Sequence, residues 1–141
     1  MDISANISNT KLKVRVAGIL STSRGFLFEK GDQGYIFPVG GKVMINETSD
    51  EAIRREVIEE VGMHFEEAKL VSVIENLYAT DSSKIHEICF VYKIKDIFTG
   101  AIPRGFIEVP ITELRNFEIK PNKLVDIFED NSDVFKHFII K

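Results

Sequence analysis

Apolar and polar residues alternate along several stretches of this chain, while one stretch carries its apolar residues at helical spacing. Residues 13–20 (KVRVAGIL) read as a strand, and residues 25–30 (GFLFEK) as its hairpin partner across a Ser-Arg-Gly turn. Residues 35–37 are a short extended piece that Pro38 is expected to end, and Pro38-Val39-Gly40-Gly41 reads as a loop. Residues 42–45 then lead to a helix over Ser49–Val61, whose apolar stripe is Ile53, Val57 and Val61. Its ends are signalled: Thr48 and Glu51 are spaced for a capping box, and Gly62 stands where a left-handed residue closes a helix. Beyond it, residues 69–78 and 84–95 alternate and are rich in β-branched residues, so with the polar turn 79–83 they predict a long hairpin. A strand over 106–109, a short helix opened by Pro110 (PITELRN) and a second helix around 121–129 complete the pattern. Strands on both sides of helices predict a mixed sheet covered on both faces.

The 141 residues suit one domain, long enough to bury a core without disulfides or a structural metal. No repeat and no Gly/Ser/Pro linker divides them, so residues 1–141 read as a single domain with the polar residues 1–10 as a flexible tail. Cys89 is the lone cysteine, which excludes an intramolecular disulfide or thiolate cluster and fits a reducing, cytoplasmic setting. Neither an export leader nor a bilayer-length apolar run is visible, so no membrane partner is expected. Net charge is −4 and the 18 basic residues are scattered, so the attraction on which binding of long nucleic acid rests is missing. A small phosphorylated substrate stays open, provided metal ions supply positive charge locally.

The candidate chemistry lies on the helix. Glu56, Glu59 and Glu60 stand at i, i+3 and i+4, within an arc of roughly 100°. Their mutual repulsion is a penalty that a bound cation reverses, and hard oxygen donors suit Mg²⁺ or Mn²⁺. An acidic run is commonly a solvated face, but Glu60 projects within about 20° of Ile53 and so borders the buried side, where a charge needs a partner or a metal. Arg55 lies one turn before Glu59 and can either hold that carboxylate for a metal or form an ordinary surface pair. Gly40 and Gly41 make a turn or let the main chain come close to a metal or phosphate; with Val43 after Lys42 they do not form a P-loop.

Gly41, five residues, Glu47, seven residues, Arg55-Glu56-Val57, one residue, Glu59-Glu60, one residue, and Gly62-Met63 together resemble the Nudix box of the Nudix hydrolase family. Met63 departs from the pattern's Ile, Leu or Val with another apolar filler. The resemblance implies an α+β protein, an α/β/α sandwich whose mixed sheet carries the box as a loop–helix–loop at its edge. It implies Glu56, Glu59, Glu60 and the Gly40 carbonyl as ligands of Mg²⁺ or Mn²⁺, with Arg55 orienting the carboxylates and Glu47 acting through the metal shell or an ion pair. The reaction it implies is attack by a metal-activated water on phosphorus in a nucleoside diphosphate linked to another group: a nucleotide sugar, a dinucleoside polyphosphate or a nucleoside triphosphate. A non-catalytic sensor of nucleotides or sugar phosphates is the alternative.

Outside the box, Glu87 in His86-Glu87-Ile88 is a candidate general base or extra ligand, because similar strands occur in many small Nudix proteins; the other reading is a strand glutamate facing solvent. Arg15 can reach a substrate phosphate or serve as a paired structural arginine. Gly41 is a candidate for substrate approach, and Phe37, Tyr35 and Tyr78 for stacking on a base. The apolar segment 134–140 (VFKHFII) is a packing element or a homodimer contact.

Overall fold

The computed structural model describes residues 1–141. Its elements run β1 (Ser4–Ile7), β2 (Thr10–Ile19), β3 (Phe26–Lys30), β4 (Tyr35–Lys42), α1 (Ser49–Val61), β5 (Ala68–Ala79), β6 (Lys84–Ile94), β7 (Phe106–Val109), a 3₁₀ turn (Ile111–Asn116), β8 (Glu118–Ile119), α2 (Leu124–Glu129) and β9 (Lys136–Ile140). All nine strands join one sheet of order β7-β3-β4-β2-β6-β5-β9, with β1 on β2 and β8 on β4. The pairs β2–β6, β4–β8 and β5–β9 are parallel and the rest antiparallel, so the sheet is mixed as expected.

Alternation along β2 fills both faces. Val16 and Leu20 pack with Ile53 and Val57 of α1, while Ala17 and Ile19 pack on the other side with Leu124, Ile127 and Phe128 of α2. Helices on opposite faces make the α/β/α sandwich. Burying Ile53 and Val57, each fully enclosed, stabilises the α1 layer by roughly 1.5–3 kcal/mol apiece. The α1 ends are those the sequence signals: Thr48 Oγ1 accepts the Glu51 N–H at 3.1 Å, Glu51 returns the bond to the Thr48 N–H at 2.9 Å, and Gly62 has φ 72°. No helix is long and apolar enough to cross a membrane.

Four expectations need correction. Residues 25–30 are not the hairpin partner of β2: β3 lies between β4 and β7, and meets the end of β2 only through a Ser21–Phe26 bridge and the Leu27 N–H to the Leu20 carbonyl. Pro38 does not end a strand, and residues 38–41 are not a loop. Up to Pro38, β4 pairs with β3, and from Val39 it pairs with β2. The residue without an N–H thus stands where the strand changes partner, which is where a ladder tolerates it. Residues 1–10 are not a tail either, because β1 pairs with β2 and the Ile3 N–H reaches the Val43 carbonyl at 2.7 Å. Such a strand is held by main-chain bonds while its side chains stay largely exposed, so no apolar alternation announces it. Finally, the 3₁₀ turn replaces the short helix after Pro110, and α2 begins at Leu124. Within segment 134–140, β9 extends the sheet beside β5, with Phe138 and Ile140 against the core and Ile139 outward.

Candidate active site

Arg55, in the second turn of α1, organises the acidic groups around it. Its Nε and Nη2 grip both oxygens of Glu47 at 2.7 and 2.9 Å, and Nη2 also reaches the Lys42 carbonyl at 3.0 Å. Nη1 donates to Glu56 at 2.9 Å and to Glu59 at 3.3 Å. Five bonds use the five N–H groups of a guanidinium, a task the single ammonium of lysine does not match. Glu47 in turn accepts the Met44 N–H at 3.0 Å. The Arg55 hydrogen bonds hold the Glu47 carboxyl below its ordinary range, and Glu47 holds the guanidinium above its own.

Glu60 is the uneasy member. Its Oε1 accepts the Gly40 N–H at 3.3 Å, while its buried Oε2 has no partner. Burial pushes its carboxyl up to about 8, against the Gly40 N–H and with the negative charges of Glu29 and Glu56. The two glycines permit this crowding. A Cβ on Gly41 would run into the Glu56 carboxylate, and one on Gly40, at φ 150°, into the Val16 carbonyl. Although the three helix carboxylates share a face, no three acidic, His or Cys side chains converge as a ready ligand set. Glu56 and Glu59 turn instead to Arg55. The fit of a divalent cation rests on the donor chemistry: hard oxygens, a buried orphan among them, with more negative charge than Arg55 offsets.

A cleft of about 690 Å³ opens at Gly40, within the range of small-molecule sites. Arg15, Phe37, Tyr78 and Glu87 all line it, so the structure gathers these scattered positions, whereas Gly41 lies outside the lining. Phe37 and Tyr78 are exposed. Glu87 is 7% exposed and not a solvent-facing strand residue. Around Glu87 the strand alternates, with Lys84 and His86 exposed and Ile85 and Glu87 buried, whereas from Ile88 to Ile94 both faces are covered, so the apolar Ile88 and Phe90 do not mark the Glu87 face as solvent. Glu87 shares the face of Cys89 and Val91, on the α2 side of the sheet, and the helix carboxylates lie on the other. Sequence reasoning missed Lys13, Glu29, Asn76 and Lys120 in the cleft wall. Lys13 was within reach, since it stands two residues from Arg15 on the same face of β2; Glu29 and Lys120 carry no such signal.

Comparison with known proteins agrees with this geometry. The NUDIX domain family model matches residues 7–133. Among solved structures, a MutT protein from Bacillus halodurans superposes with TM-score 0.72 at 18% identity, covering 89% of this chain and 86% of its own. The MutT NUDIX hydrolase from Burkholderia pseudomallei gives 0.67 at 20% identity, over 84% and 98%. An ADP-ribose pyrophosphatase from Streptococcus suis gives 0.56 at 12% identity, over 90% and 98%. No curated protein sequence matches. Such low identities speak for the fold, while the family model spans most of the chain and meets the Arg55–carboxylate helix at its centre. On that ground the chain belongs to the NUDIX domain family of hydrolases.

Proposed function

We propose that this chain is a divalent-metal-dependent pyrophosphohydrolase that cuts the diphosphate linkage of a nucleoside diphosphate joined to another group. The observation that carries this reading is Glu60, a largely buried carboxylate with one unpaired oxygen, which holds the N–H of Gly40, a residue of the cleft wall, from outside the cleft. A buried carboxyl that holds its proton for want of a partner gives it up to a cation, which joins the charges of Glu56 and Glu59 that Arg55 alone does not offset. Glu56, Glu59, Glu60 and the Gly40 carbonyl would hold Mg²⁺ or Mn²⁺, the ions that such oxygens select. The ion supplies positive charge that offsets the phosphate oxygens and acidifies the attacking water.

The chain's own groups do the rest. Arg55, clamped by Glu47, keeps Glu56 and Glu59 in position. Arg15 meets phosphate oxygens from the sheet, and Phe37 and Tyr78 offer ring faces to a base. One structural neighbour is an ADP-ribose pyrophosphatase, which supports the substrate class. The test is nucleotide or phosphate release from nucleotide sugars, dinucleoside polyphosphates and nucleoside triphosphates, with Mg²⁺ or Mn²⁺. Turnover should fall on the order of a hundredfold in Glu59→Gln. A panel that binds without any turnover would favour the sensor reading instead.

A further inference from the structure

Glu87 lies on the face of the sheet opposite the α1 carboxylates, and its surroundings are unusual. It is 7% exposed, lines the cleft, and makes neither a hydrogen bond nor an ion pair within 4.0 Å. Lys13 of β2 and Asn76 of β5 stand in register on either side of it. The Glu87 charge raises the pKa of Lys13 against the lowering by burial, and adds to burial in raising that of Tyr78. The cations are thus near enough to offset its charge and too far away to take up its lone pairs. The only buried side-chain acceptors without a partner are Glu60 Oε2 and Ser72 Oγ, so the Glu87 oxygens are open to the cleft itself, where water meets them until a ligand that brings N–H donors replaces it.

Register supplies the distance. Gly40 of β4 pairs with Ala17 and Glu87 of β6 with Lys13 on the opposite flank of β2; four residues along the strand and two strand spacings across it set them roughly 16 Å apart. Arg15 lies between them. A nucleotide with its diphosphate at the Gly40 end and Arg15 along its length brings its base toward Glu87, Asn76 and Tyr78.

We propose that Glu87, with Asn76 beside it, reads the edge of a nucleobase carrying an exocyclic amine, so that the cleft takes guanine, adenine and cytosine nucleotides in preference to uracil and thymine ones. A carboxylate only accepts, and the amines of guanine, adenine and cytosine donate to it. The Asn76 amide both donates and accepts, so it pairs with whichever ring nitrogen or carbonyl adjoins the amine. Uracil and thymine set their one ring N–H between two carbonyl oxygens, which a carboxylate repels.

This inference rests on the nucleotide reading above, and a binding experiment separates the two. Calorimetric titration of the full chain with GMP, AMP, CMP and UMP, without metal, should show UMP weaker by about tenfold or more. In Glu87→Gln, whose amide also donates, the ratio should fall to about one as UMP tightens. Asn76→Ala, should Glu87→Gln fold poorly, should narrow the same ratio. Equal affinities in the wild type, no binding of any of the four, or a ratio unchanged in the variants would overturn the proposal. So would a loss of kcat in Glu87→Gln that is the same for every base, which marks a chemical role. Selective binding with no turnover on any substrate sinks the hydrolase reading and leaves this one standing; turnover without base preference does the reverse.

Discussion

Around α1 nearly every polar group already has a protein partner, whereas in the cleft along β2 the charged groups face one another without closing. Arg55 spends all its donors on Glu47, Glu56, Glu59 and the Lys42 carbonyl. Glu87, Arg15 and Lys13 line the cleft with no ion pair between them within 4.0 Å. The first arrangement holds its shape before any ligand arrives; the second is completed by one. Groups that act on every substrate can be fixed in advance, and groups that choose among substrates must be left free to pair.

The most severe way to break this contrast is Arg55→Ala. It strands Glu47 and Glu56, both largely shielded, and should cost about 2–4 kcal/mol and lower turnover by on the order of a hundredfold. Thermal denaturation and steady-state kinetics read both; an unchanged Tm would show that the network is ornamental. Next comes Gly41→Ala, whose methyl meets the Glu56 carboxylate: a loss of about 1–3 kcal/mol is expected, with turnover falling alongside.

A pH series on the metal-free protein sharpens the contrast at Glu60. Its folded carboxyl keeps a proton to about pH 8, against 4.5 for the free group, so its contribution is whole below about 4.5 and is lost as pH rises toward 8. Glu60→Gln should therefore flatten the decline of Tm between pH 5 and 8, and identical slopes for the two proteins would contradict the burial of that charge. The smallest effect is expected for Phe37→Ala at the exposed rim. Stability should stay within about 0.5 kcal/mol of the wild type, so Tm barely moves, while KM rises roughly two- to tenfold. A large Tm loss there would mean that the rim, too, is built for shape.

The helix was legible because local rules decide it: Thr48, Glu51, the Ile53–Val57 stripe and Gly62 all act within a few residues of one another. The Arg55–Glu59 contact was legible for the same reason. What was not legible depends on partners distant along the chain. Pro38 ends a strand by its own chemistry, and only the exchange of β3 for β2 as neighbour lets β4 pass through it. The setting of Glu87 turned on packing on both sides of β6 beyond it, with Cys89 and Val91 in one core cluster and Tyr92 and Ile94 in the other, so that Ile88 and Phe90 gave no sign of which face meets water. An ion pair at Glu47 came only from the resemblance to the box, since the grip of Arg55 on it spans a loop whose path helix spacing does not give.

The parallel pairing of β2 with β6 bears on how the chain is made. During synthesis β2 emerges early, yet one of its two flanks has no neighbour until Lys84–Ile94 has left the ribosome. β5 likewise waits for Lys136–Ile140, some sixty residues farther along the chain. An apolar strand with an open edge is sticky in that interval, and closing such distant pairs is slow. The nascent chain should therefore depend on chaperone cover until its last strands are complete, and truncation before β9 should raise aggregation in a coupled translation assay.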